Sequence, residues 1–193
     1  RFFFFFSKLK RLGVIFEHSE TGKSYAGVDT AMRLSKERSF EIVTCSAISD
    51  IPDTARCEQE YLNCIEKIAP EIDAIYITLH GGVTGHSIPK IVEKTIHHRL
   101  LSFSQAGLDE VDKGILTSLS RINFKKVGLF QAAIIANVFN GAAPGELPQV
   151  FEEPLNISLN IDTAQAIGFF PSADMIAAAD VLIINGTQRK AKD

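Results

Sequence analysis

The segment Ser19-Glu20-Thr21-Gly22-Lys23-Ser24 carries residue types that can hold phosphate: a Gly-Lys-Ser triplet where an apolar strand runs into a helix. A phosphate loop of that kind also needs a glycine five positions before Gly22, so that backbone amides can wrap the anion. That position is Glu17, whose carboxylate repels phosphate. The metal-binding acid expected at the end of a later apolar strand is also missing, because the strand Ala74–Leu79 ends in His80. Nucleotide hydrolysis therefore lacks two of its parts. What the segment can do is bind a small polar ligand through Ser19 and the amides near Gly22, at a helix N-terminus, with Glu20 beside them.

The second chemistry-bearing stretch is Thr78-Leu79-His80-Gly81-Gly82. An imidazole titrates near neutral pH, so His80 could serve as a base or as a ligand donor. No G-x-S-x-G elbow is present to make it part of a hydrolase triad, and no HExxH zinc pattern occurs. His97 and His98 are adjacent and so face different sides of their helix, which is poor metal geometry. Glu152 and Glu153 precede Pro154 in a linker and read as a solvated pair. No catalytic residue, no metal ligand and no cofactor site is assigned. For His80, a binding role and a structural role both stay open.

Both stretches sit beyond short runs rich in β-branched and aromatic residues, Leu12–Glu17 and Ala74–Leu79. Such runs suit strands buried on both faces. Between and after them the pattern alternates: helix near Lys23–Arg38, strand Phe40–Cys45, helix from an Asp53 N-cap through Ile68, strand Ala74–Leu79, helix from Pro89 to Arg99, strand Leu100–Ser104. Three consecutive crossovers predict an α/β fold, a three-layer parallel sheet with helices on both faces. Parallel strands deliver their polar ends to one rim, where such folds bind ligands. Further on, Ile115–Ser120 is expected to be a strand. A long helix over Phe124–Phe139 follows, capped by Asn123, with Val127, Phe130, Ala133, Ile134 and Val138 at spacings of three and four. Ile157–Leu159 and Val181–Ile184 read as extended, Asp162–Gly168 and Ala173–Ala179 as short helices, and Gly186–Asp193 as a frayed, charged tail.

Composition narrows the function classes. The 193 residues carry a net charge of −3 with 46% apolar residues, and the basic residues are scattered among acids. That gives no footprint for nucleic acid. No apolar run approaches the ~20 residues of a membrane helix. Three cysteines, Cys45, Cys57 and Cys64, form no CxxC pair, and an odd count reads as small buried hydrophobes. Arg1 is followed by Phe2–Phe6, with no initiating methionine, and this run is expected to be the end of a helix that begins upstream.

Five stretches carry a resemblance in their order and spacing: R-L-G-V-I-F-E-H-S-E from Arg11, D-A-I-Y-I-T-L-H from Asp73, F-S-Q-A-G-L-D-E-V-D-K-G-I-L-T-S-L from Phe103, F-N-G-A-A-P-G-E-L-P-Q-V-F from Phe139, and L-N-I-S-L-N-I-D-T-A-Q-A-I-G-F from Leu155. Together they resemble the substrate-binding proteins of ABC transporters, of the type I periplasmic-binding-like family. The resemblance implies two α/β lobes around a cleft that binds a solute without chemistry. Residues 11–102 and 155–185 would form the second, C-terminal lobe. Residues 103–150 would be a return segment of a first lobe that mostly precedes this chain, and residues 1–10 the end of a connecting helix. Ser19, Glu20, Thr78, His80, Gly81, Ser104 and Gln105 would line the cleft. The implied partners are a small solute, an amino acid or another small polar or aromatic compound, and a membrane permease, with no nucleic acid. The implied location is periplasmic or lipid-anchored and extracytoplasmic. Family members commonly present an asparagine and a serine after the first strand and an Asp-Asn pair after the D-A-I-Y strand. Here Glu17 to Gly22 and the His80-Gly81 pair stand in those places, so the solute is not carried over. Two other readings share this architecture: a ligand-sensing domain of a receptor or regulator, and a flavodoxin-like enzyme binding phosphate at Ser19–Ser24.

Overall fold

In the computed structural model, which describes residues 9–49, 52–120, 124–151 and 156–190, the apolar runs become the interior of one eight-stranded sheet. Strands β1 (Arg11–Phe16), β2 (Glu41–Ser46), β3 (Ala74–Ile77), β4 (Leu101–Ser104) and β5 (Thr117–Ser120) are mutually parallel, in the order β2-β1-β3-β4-β5. The sheet continues through β6 (Asn156–Asn160), antiparallel to β5, then β7 (Val181–Ile184), parallel to β6, and β8 (Thr187–Lys190), antiparallel to β7. Helices α1 (Glu20–Ala26) and α2 (Val28–Arg38) follow β1. Next come α3 (Thr54–Ile68), α4 (Ile88–His97), α5 (Leu108–Asp112), α6 (Phe124–Phe139), α7 (Ile161–Ala166) and α8 (Ala173–Ala178).

The pleat of β1 divides its side chains between two cores. Leu12, Val14 and Phe16 pack with Ala26 and Val28 of α1 and α2. Ile15 packs on the other face with Tyr61, Leu62, Ile65 and Ile68 of α3, joined by Ile75 and Ile77 of β3 and Ile91 of α4. Gly13 points to the same side. A Cβ there would come within 2.6 Å of Ile72 Cδ1 and 3.0 Å of Ile68 Cδ1, so only glycine lets α3 lie this close to the strand. A further cluster, with Leu116, Leu159, Ala164, Ile167 and Leu182, anchors β6 and β7 under α7. The expected three layers are present, with strand ends β1, β2 and β3 side by side at one rim.

Four features depart from the sequence reading. The single helix expected over Lys23–Arg38 begins at Glu20 and is broken at Gly27, which takes a left-handed φ of 63°. The tail is not frayed through Lys190. Asn185 and Gly186, both at positive φ, turn the chain into β8, and the Asp162 carboxylate accepts both of their amides at 2.9 and 2.8 Å. Cys45 and Cys64 are joined in a disulfide with Cα atoms 5.7 Å apart, while Cys57 is free and buried. The odd count concealed a pair plus one. Finally, Phe103–Ser120, expected to belong to another lobe, runs in the same sheet as β1 to β4, with Phe103 and Ser104 in register with Thr117 and Ser118. The chain leaves this sheet only at α6, where Leu129 and Phe139 are 62% and 85% exposed. Phe2–Phe6, Asp50, Asn123, Glu152, Glu153, Pro154 and Leu155 lie outside the described residues.

Candidate functional site

The rim pocket lies where the loops after β1, β2 and β3 meet. It has a volume of about 330 Å³. Phe16 and Glu17 end the first strand, Thr21, Gly22 and Tyr25 come from α1, Ser49 follows the second strand, and Leu79, His80 and Gly81 follow the third. Tyr25 and Leu79 are large side chains left 63% and 53% exposed at its mouth. A larger cavity of about 390 Å³ lies elsewhere, on the sheet face beside α2, lined by residues such as Leu34, Tyr76, Phe103 and Leu119. Among the described residues it has no charged lining residue. The rim pocket is the better site, because it stands at the carboxyl ends of parallel strands and brings polar and aromatic groups together.

Local sequence builds the first wall. Ser19 is the N-cap of α1, its Oγ accepting the Gly22 amide at 2.9 Å. The same hydroxyl donates to the Glu17 carboxylate. Gly22 is obligatory here, since a Cβ would fall on the Glu17 carbonyl oxygen. The wall is thus a tight turn closed by Glu17, Ser19 and Gly22. Glu20 points away, 93% exposed, and pairs with Lys23 at 3.0 Å.

The second wall is held from behind by His80. Its Nδ1 accepts the Gly82 amide at 2.9 Å, and its Nε2 lies 3.2 Å from the Ala47 carbonyl, which fixes the neutral Nε2–H tautomer. Its ring rests on Tyr61 with centroids 5.0 Å apart. Burial pushes its pKa below the ordinary histidine value, more than the Ala47 carbonyl and the Glu17 charge push it up. With both ring nitrogens engaged, His80 offers the pocket a neutral edge. It does not offer a free base. Gly81 donates its amide to Ser49 Oγ at 2.8 Å and leaves no room for a side chain against the Ser49 carbonyl. The Cys57 thiol and the Ile48 amide, bonded to the Ser49 carbonyl and to Glu60, tie the same loop to α3.

The remaining sequence-predicted residues stand around the pocket as supports. Thr78 is 2% exposed, and its hydroxyl donates to the Ile15 carbonyl at 2.8 Å, stapling β3 to β1. Ser104 is fully buried; it donates to Glu110 at 2.5 Å and accepts the Ala106 and Gly107 amides, shaping the turn into α5. Burial raises the Glu110 pKa, and the Ser104 hydroxyl opposes it. Gln105 bridges two walls, accepting the Leu79 amide and donating to the Tyr25 carbonyl, each at 3.0 Å. Of the seven residues named from sequence, His80 and Gly81 line the pocket directly, Ser19 and Gln105 hold its walls, and Glu20, Thr78 and Ser104 do not reach it. Sequence reasoning missed Ser49, Tyr25 and Leu79 as lining residues. The rim argument itself could have found Ser49, since it follows the second parallel strand. Among the described residues no group of His, Cys, Asp and Glu is placed to hold a metal ion, and no helix is long and apolar enough to cross a membrane.

No protein-family model matches the chain. A curated protein named tyrosine-binding protein, from Clostridioides difficile strain R20291, is 25% identical over 160 residues, covering 83% of this chain and 43% of its own length. Three solved structures share the fold. A conserved domain protein from Vibrio cholerae superposes with a TM-score of 0.69 at 19% identity, covering 92% of this chain and 56% of its own. The ligand-free, open form of a substrate-binding protein with adhesive properties from Clostridium difficile gives 0.68 at 22%, covering 89% and 54%. The ABC domain in complex with L-Trp from Streptococcus pneumonia gives 0.67 at 17%, covering 93% and 58%. The chain therefore has the fold of substrate-binding proteins and spans about half the length of the relatives it matches.

Proposed function

We propose that this chain forms most of the second lobe of a solute-binding protein that serves an ABC transporter. It grips an amino acid or a similar small aromatic compound in the rim pocket and performs no chemistry on it. The observation that carries the reading is the pocket itself: strand-end loops meet under an exposed aromatic and an exposed aliphatic side chain, Tyr25 and Leu79, with a neutral and fully bonded His80 behind them. Among the relatives, one is named a tyrosine-binding protein, one a substrate-binding protein, and one structure holds L-Trp.

On this reading residues 11–120 and 156–185 are the second lobe, and α6 with the segment through Phe151 reaches toward the first. The apolar residues that α6 leaves exposed, Leu129, Ile135 and Phe139, support that assignment, because an exposed apolar helix face calls for a partner. Closure of the two lobes is a population shift driven by contacts that exist only when both meet the solute. The closed form then docks on a membrane permease. The Cys45–Cys64 disulfide supports an extracytoplasmic location, since such bonds persist in oxidising compartments.

The test is a thermal-shift screen on the protein expressed from its complete reading frame, with L-tyrosine, L-tryptophan and non-aromatic amino acids. A true solute at about a hundred times its Kd stabilises by roughly 2.7 kcal/mol. Stabilisation that Tyr25→Ala and Leu79→Ala weaken is the expected result. An unchanged shift in the double variant would move the solute to another place and end the assignment.

A further inference from the structure

Among the described residues that line the rim pocket, Glu17 alone carries a formal charge, once His80 is fixed as neutral. It is half-buried, at the point where β1 ends. Its Oε2 receives the Ser19 hydroxyl, and the close packing of Gly22 holds it in place. No lysine or arginine among the described residues pairs with it; Lys23, in the helix that follows, is turned outward onto Glu20. A half-buried carboxylate held in place by one hydroxyl keeps its second oxygen open to a charge-assisted hydrogen bond from a cation. Around it stand Phe16, Tyr25 and Leu79, which suit an apolar or aromatic body and not a second charge.

From this arrangement we infer that Glu17 is the anionic partner of a ligand ammonium group. The second lobe thereby selects the cationic end of a compact, apolar-bodied amine. The inference rests on the rim pocket being the ligand site, and it adds the charge and the residue that reads it. The position matters because the carboxylate comes from the first strand end. The third strand end, which supplies Gly81 and His80, has no acid. A ligand carboxylate, by contrast, finds no cation among the described lining residues and must be held from elsewhere or be absent.

Three probes of similar shape separate the possibilities: 2-phenylethylamine, L-phenylalanine and 3-phenylpropionate, titrated calorimetrically into the protein expressed from its complete reading frame. The wild type is expected to bind the two amines, and 3-phenylpropionate at least tenfold more weakly, since a charge-assisted hydrogen bond is lost and a like charge is met. Glu17→Gln should weaken the amines by about that factor and erase the preference, while Glu17→Asp restores part of it. Circular dichroism on each variant checks that the fold is kept. Equal binding of 3-phenylpropionate, a preference that survives Glu17→Gln, or no binding of any probe overturns the inference. A preference that Glu17→Gln erases confirms it. The site reading is judged separately by Tyr25→Ala: if amines bind and that variant changes nothing, the ligand lies outside the rim pocket and both conclusions fall.

Discussion

Reducing the Cys45–Cys64 disulfide is expected to loosen the molecule in a measurable and local way. Cys45 lies on β2, the edge strand, and Cys64 on α3, which covers the neighbouring face. The bond closes a loop of 19 residues in sequence separation. That loop includes Ala47 and Ser49, which carry the His80 and Gly81 contacts of the pocket. Chain-entropy accounting for a closed loop of this length gives about 3 kcal/mol of stability at 25 °C. For a chain of this size each kcal/mol moves the midpoint by roughly 2–4 °C, so reduction should lower Tm by about 6–12 °C. The assay is differential scanning calorimetry with and without reductant, beside a Cys45→Ala/Cys64→Ala variant that should match the reduced protein. Thiol titration in denaturant should count one free thiol before reduction, that of Cys57, and three after it. Three thiols before reduction would show that the bond does not form. A full reduction that leaves Tm in place would show that the crosslink constrains nothing the fold does not already hold.

Further consequences follow from single contacts. The His80 pKa is depressed in the fold, so above pH 6.5 both states are neutral and its burial costs nothing extra; as pH falls below that value the unfolded chain takes up a proton first and stability drops, until the folded pKa is passed. A His80→Gln variant should flatten that part of the stability–pH curve, and a curve identical to wild type would deny His80 its buried role. Thr78→Val removes the hydroxyl that reaches the Ile15 carbonyl and should cost about 1 kcal/mol in urea unfolding while leaving ligand affinity as it was; a loss of affinity at equal stability would place Thr78 in the pocket after all. Gly22→Ala drives a Cβ onto the Glu17 carbonyl and should destabilise by roughly 1–3 kcal/mol. The same variant should release the Ser19 cap, read as faster exchange of the backbone amides at positions 22 and 23 than in the wild type, and unchanged exchange would refute the crowding argument.

Much of the fold was legible because its signals are repetitive. The apolar runs at Val14–Phe16 and Ala74–Ile77 had to be interior strands, and α6 occupies the expected span Phe124–Phe139. What escaped notice depended on single residues. Gly27 breaks one expected helix into two by adopting a left-handed φ. The strand β8 is Thr187-Gln188-Arg189-Lys190, with no apolar residue to announce it, and only the Asn185-Gly186 pair after an apolar strand signalled a hairpin. Cys45 and Cys64 meet because β2 packs against α3, the helix that follows it, which residue counts cannot reveal.

The candidate site was legible as a rim of strand ends and not as a set of side chains, and the reason is general to parallel sheets. Polar residues at strand ends have two duties that look the same in sequence. Some close the hydrogen bonds of a chain leaving the sheet, and others face the ligand. Thr78 and Ser104 do the first: their hydroxyls are spent on the Ile15 carbonyl and on the turn into α5. His80 shows both duties in one residue, since its nitrogens serve backbone groups while its edge lines the pocket. The residues left to meet a guest are then those whose polar atoms the fold does not consume, or whose apolar surface it leaves bare. By that criterion Tyr25, Leu79 and Glu17 matter more than the polar residues the strand ends put forward first. A ligand read mainly by a carboxylate and two apolar side chains should tolerate changes at Thr78 and Ser104 that preserve the fold, and should fail with changes at Glu17 that leave the fold untouched.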